Sequence, residues 1–113
     1  MEQNNDLVYL YGFSGHKNVK LKSVINIIEN QLKTGVNIKI ILIHDGVIGI
    51  SKKGEIPQNL EKLINLPLTV CAMLPDLKAR GINSKTVHEK VNLIDYDELV
   101  DILADTPKIV SWM

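Results

Sequence analysis

Cys71, the only cysteine of the chain, is the residue whose chemistry the sequence most invites. It lies in LTVCAMLPDLKARGI, residues 68–82, where an apolar run bounded by Pro67 and Pro75 leads into a short basic helix. The run reads as a buried parallel strand with Cys71 toward its carboxyl end, the edge where open α/β sheets collect ligands. A thiolate there is a nucleophile or a sulfur carrier, made more acidic by a helix amino end and by cations such as Lys78 or Arg80. His44 ends an earlier apolar run on the same edge and is a candidate base or charged partner for the thiol if the two strands are neighbours. The competing reading is that Cys71 simply fills the core, as buried free cysteines do. Asp76, if it points at the sulfur, opposes the thiolate.

A second candidate is the loop Gly12-Phe13-Ser14-Gly15-His16, which opens a helix. Backbone amides at such a place can hold an anion, so Gly12, Ser14, Gly15 and His16 form a candidate ligand loop. The spacing is neither a Walker loop nor a dinucleotide fingerprint, and two glycines at a turn equally serve a tight connection. Trp112 stands near the carboxyl terminus, where a large ring on an edge strand either docks a partner chain or caps its own core. Asp45-Gly46 reads as a turn in which the glycine supplies positive φ.

These residues need a scaffold, and the apolar pattern supplies one. Residues 7–11 and 38–43 read as strands rich in branched and aromatic residues. Between them Leu21, Val24, Ile25, Ile28 and Leu32 recur at helical spacing over residues 18–34, closed by Gly35. Residues 57–65 form a short helix with Leu60, Leu63 and Ile64 inside, and Gly81 is the left-handed stop of the helix after Cys71. Residues 83–90 read as a loop capped by Asn83 or Ser84. Residues 91–94 form a fourth strand, Asp95 caps a helix over 96–105, and residues 108–113 form a last edge strand after Pro107. Residues 1–6 read as a disordered lead-in. Alternating strands and helices predict an α/β fold: a mostly parallel five-stranded sheet with helices on both sides.

With 113 residues the chain is read as one domain, residues 1–113. Thirteen basic and thirteen acidic residues cancel, so no net field draws the molecule to nucleic acid or an anionic membrane. Aromatic residues make up 4% of the chain, which leaves no stacking platform for single strands. One cysteine is too few for an internal disulfide or a cysteine-based zinc cage, and no motif calls for a cofactor or metal. The polar, acidic start and the lack of a long apolar run predict a cytoplasmic protein.

The combination of ILIHDGVIGI (residues 41–50), LTVCAMLPDLKARGI (68–82), VNLIDYDELVDIL (91–103) and the terminal tryptophan resembles the DsrH/TusB family of the DsrE/F/H-like superfamily. The first third of the chain matches only in its strand–helix pattern. The resemblance implies a three-layer α/β/α sandwich with strand order 4-3-2-1-5, which puts His44 and Cys71 on adjacent strands. It also implies a small subunit of a cytoplasmic sulfur relay. Such a subunit handles persulfide sulfur on the way to thiolated wobble uridine in transfer RNA or through sulfur oxidation, and possible sulfurtransferase activity goes with that role. The implied partners are DsrE/DsrF or TusC/TusD-type paralogues in an oligomer, and carriers of the TusA, TusE or DsrC kind. Many members of this branch carry an aromatic residue where Cys71 stands and are non-catalytic, whereas DsrE/TusD-type relatives have their active cysteine at about that place. Others in the branch have a cysteine in the loop after the first strand, where this chain offers Ser14 and His16. Cys71 as sulfur acceptor, with His44 and Arg80 favouring its thiolate, and a non-catalytic subunit docking a cysteine-bearing paralogue are therefore the two expectations.

Overall fold

A computed structural model describes residues 6–113. The strands are β1 (Asp6–Tyr11), β2 (Asn37–Leu42), β3 (Thr69–Met73), β4 (Val91–Ile94) and β5 (Lys108–Trp112). The helices are α1 (Asn18–Leu32), α2 (Gln58–Ile64), α3 (Leu74–Ala79) and α4 (Tyr96–Asp105), with short 3-10 turns at His44–Val47 and Ser84–Thr86. The sheet runs β4-β3-β2-β1-β5, and every strand pair is parallel. The fold is the expected one. Most of the expected disordered lead-in lies outside the described residues, but Asp6 already pairs with Asn37 as the first residue of β1.

Strand alternation sends two apolar sets to opposite faces. Leu7, Tyr9, Tyr11, Ile38, Ile40, Leu42, Val70, Ala72 and Val91 meet α1, α2 and Leu77 of α3 in the larger core. Val8, Ile41, Ile43, Cys71, Met73 and Ile94 meet only α4, through its half-buried Leu99, Ile102 and Leu103. No residue of α4 is buried. The sandwich is thus lopsided, with three helices on one side and a single helix on the other. No described helix is long and apolar enough to cross a membrane.

Local signals explain the helix ends. Asp95 accepts from the Glu98 amide while the Glu98 side chain accepts from the Asp95 amide, a reciprocal cap that fixes the start of α4. Gly35 and Gly81 adopt positive φ as helix stops. Gly46 does not: the left-handed residue of that turn is His44, at φ 50. Gly46 is required for a different reason, because a Cβ there would lie 2.2 Å from the Tyr11 carbonyl oxygen.

In the larger core, Tyr9 donates its hydroxyl to the Gln31 side chain. The Tyr11 hydroxyl, by contrast, is buried with no hydrogen-bond partner among the described residues. A buried polar group left unpaired costs free energy, so Tyr11→Phe should leave the protein as stable or up to ~1 kcal/mol more stable in denaturant titration. A loss of stability would instead place a bridging water on that oxygen.

Candidate functional site

Cys71 is the middle residue of β3, paired with Ile41 on one side and Asn92 on the other. It therefore does not sit at the carboxyl end of its strand, which Met73 occupies. The difference arises because the strand continues two residues past the cysteine before Leu74 and Pro75 start α3. The residue is 3% exposed among Val8, Ile41, Ile43, Met73 and Ile94, beneath α4. Burial pushes its thiol pKa up; the Lys39 charge draws it back down and the Glu98 charge adds to the rise. Lys39, Glu98, Asp101 and Asn92 line an open depression of about 660 Å³ beside α4 whose lining also reaches Cys71.

Arg80 and His44, expected beside the thiol, serve a different cluster. The Arg80 guanidinium donates from Nε (3.1 Å) and from Nη2 (3.0 Å) to Asp45 Oδ1. Its Nη1 donates to the Asp76 main-chain oxygen at 3.2 Å and lies 3.8 Å from the Asp76 carboxylate. Asp76 in turn accepts the His44 amide at 2.8 Å. This network ties the turn after β2 to the start of α3, and it accounts for the left-handed backbone at His44, whose amide is aimed at a fixed carboxylate. Asp76 thus does not point at the sulfur but organises the rim of the sheet. Lys78 is exposed on α3. The cation that acts on Cys71 is Lys39, which sequence reasoning missed. Lys39 lies two residues before Ile41, the partner of Cys71, so strand alternation and the correct register would have revealed it.

The loop of residues 12–16 is stitched into the fold. The Gly12 amide donates to the Trp112 oxygen at 2.8 Å, and the Gly15 amide to the Ile48 oxygen at 3.0 Å. The His16 amide donates to Ser14 Oγ at 3.2 Å. A Cβ on Gly15 would meet Leu60 Cδ2 at 2.6 Å and the Ile48 oxygen at 2.8 Å. These amides already have protein acceptors, and the glycine allows close approach of two chain segments. Trp112 is half-buried against the larger core and contributes its carbonyl to the same stitch. Among the described residues no group of three His, Cys, Asp or Glu is placed to hold a metal ion.

Tyr9 and Tyr11 share with Cys71 a pKa raised by burial. An acid with a raised folded pKa keeps its proton in the fold after the unfolded chain has released it. Its contribution to stability is complete below the unfolded pKa and is lost as pH rises toward the folded one. Unfolding free energy should therefore be flat near neutrality and fall above about pH 9, with the onset moved upward in Cys71→Ala. Denaturant titrations across that range check this; an unchanged onset in Cys71→Ala would exclude the thiol as a contributor.

A family model described as DsrH like protein matches residues 14–109. Protein TusB of Pectobacterium parmentieri is 30% identical over 73 residues, which is 65% of this chain and 73% of that protein. Protein TusB of Serratia proteamaculans is 31% identical over 74 residues, with 65% and 73% covered. Two solved structures share the fold: the ychN protein from E. coli, with a TM-score of 0.76, 17% identity and 95% and 98% of the two chains covered, and MTH1491 from Methanobacterium thermoautotrophicum, a protein of unknown function, with a TM-score of 0.73, 17% identity and 94% and 97% covered. With that family match over most of its length, the chain belongs to the DsrH family.

Proposed function

We propose that this protein is a DsrH/TusB-type subunit of a sulfur relay serving transfer-RNA thiolation, and that it works by completing an assembly rather than by carrying sulfur itself. The observation that carries this reading is the position of Cys71: mid-strand, 3% exposed beneath α4 at the edge of an open depression, with burial pushing its thiol pKa up. A persulfide carrier must present its sulfur to a second protein's thiol in line, and both access and thiolate character favour that exchange. Here burial opposes both. Arg80, first expected to activate the thiol, is held by Asp45 and Asp76 instead, and the backbone of His44 is tied to the same Asp76 carboxylate. The similarity to TusB proteins supports the tRNA branch over sulfur oxidation. In this reading the chemistry resides on a cysteine-bearing DsrE/TusD-type paralogue, and this chain supplies a scaffold surface.

The test is to incubate the folded protein with a small alkyl persulfide, alone and with such a paralogue, and to weigh both chains intact. Sulfur should appear on the paralogue and not on this chain, and the two should co-elute in size-exclusion chromatography. Sulfur on the folded wild-type chain that is absent from Cys71→Ser would overturn the scaffold reading and make Cys71 the acceptor. Failure to co-elute with any cysteine-bearing paralogue of the same cell would overturn the assembly reading.

A further inference from the structure

α4 and α1, which lie on opposite faces of the sheet, differ in charge. Between Asp95 and Asp105 the chain has Asp97, Glu98 and Asp101 and no lysine or arginine. The outward stripe of α4 is Asp97, Val100, Asp101 and Ala104, at helical spacing opposite Leu99, Ile102 and Leu103. Val100 is 62% exposed, and the neighbouring Tyr96 59%. On the other side of the sheet, α1 buries Leu21, Val24, Ile25 and Ile28 and turns Val19, Ser23 and Asn26 outward. Lys20 flanks that stripe on one side, Lys22 and Lys33 on the other, with Lys17 at its entry. Val19 is 82% exposed and Ile27 40%. α4 thus pairs exposed aliphatic groups with acids alone, whereas α1 and its ends pair them with four lysines and one glutamate, Glu29, whose carboxylate lies 3.4 Å from Lys62.

We infer that the α4 face of one copy docks the α1 face of a second copy, head to tail. An isologous contact through α4 would set Asp97, Glu98 and Asp101 against their own copies, and like charges brought together oppose it. The heterologous contact places Asp97 and Asp101 against Lys20 and Lys22, with Val100 and Tyr96 meeting Val19 and Ile27. Because the two surfaces lie on opposite faces of one chain, each copy keeps a free face for the next, and assembly continues beyond the dimer unless the rotation closes a ring. Two short helix faces bury little area, so the association is weak and depends strongly on salt. This contact stands independently of the relay reading, since it requires only the chain itself.

Sedimentation velocity over a concentration series tests it. At about 0.02 M salt the average mass should rise with protein concentration, and at about 0.5 M salt it should return to that of the monomer. Asp97→Lys with Asp101→Lys should abolish the association, as should Lys20→Glu with Lys22→Glu. An equimolar mixture of the two double variants restores complementary faces and should bring it back. Thermal melts of both variants confirm that they remain folded. A monomer at every concentration in low salt, an oligomer indifferent to salt or to either double variant, or a mixture that stays monomeric would each overturn the inference.

Discussion

Folded protein treated with a thiol-specific alkylating reagent should label Cys71 at least ~100-fold more slowly than the unfolded chain at the same pH. Two effects combine in this expectation. The sulfur is enclosed in the smaller core, so the reagent must wait for α4 to lift from the sheet or for a wider opening. The thiolate is the reacting form, and burial keeps the thiol protonated to higher pH than in the unfolded chain. A hundredfold protection corresponds to an opening free energy of about 2.7 kcal/mol, well below the stability of an ordinary domain.

The reciprocal cap at Asp95 makes the expectation specific to α4. Asp95→Ala removes an N-cap bond, at a cost of ~1 kcal/mol, and should speed labelling by about fivefold if helix opening is the gate. A native rate equal to that of the unfolded chain would show the sulfur to be open. It would return Cys71 to the role of sulfur acceptor.

The second large effect is expected from Gly46→Ala, a change of one methyl group. The new Cβ would lie 2.2 Å from the Tyr11 carbonyl oxygen and 3.1 Å from its carbon. Neither neighbour can give way, because Tyr11 ends a strand paired on both sides, with Leu42 and with Trp112. The turn at His44–Val47 must therefore lift. That movement disturbs the Ile43 amide bond to the Tyr11 oxygen and the Asp76 bond to the His44 amide. We expect a loss of ~3 kcal/mol or more, read as a fall in Tm of roughly 10 °C or more. Gly54→Ala, where a Cβ meets nothing within 4 Å, is the control and should change stability by less than ~0.5 kcal/mol. Equal effects at the two glycines would mean that the turn accommodates the methyl group and that its packing is loose.

Both expectations depend on contacts between residues far apart in the chain, and this is where reading the sequence alone stopped. Arg80 is expected from the sequence to favour the Cys71 thiolate, but it pairs with Asp45, 35 positions earlier. The interaction exists because α3 returns the chain to the end of β2. The same return brings the Asp76 carboxylate to the His44 amide and moves the left-handed residue of the turn from the expected glycine to the histidine. Glycine is the usual solution where φ is positive, so assigning that role to Gly46 followed the local rule. The local rule cannot register that a neighbouring strand's carbonyl occupies the space where a Cβ would stand. Trp112 similarly packs against the larger core and leaves part of its surface uncovered.

What the sequence determined by itself was the set of elements and their order. Apolar spacing of two or 3.6 residues, the Asp95 cap, and the glycine stops at Gly35 and Gly81 depend only on neighbours within a few positions, so they can be read locally. Family resemblance added the strand order, which the structure bears out. The tertiary structure alone decided which cation faces the thiol, how deeply the sulfur is enclosed and which carboxylates hold Arg80. Those properties follow from strand register and from the placement of one helix across a sheet face. A shift of a single residue along a strand exchanges the two faces, so these properties depend on long-range packing rather than on local spacing.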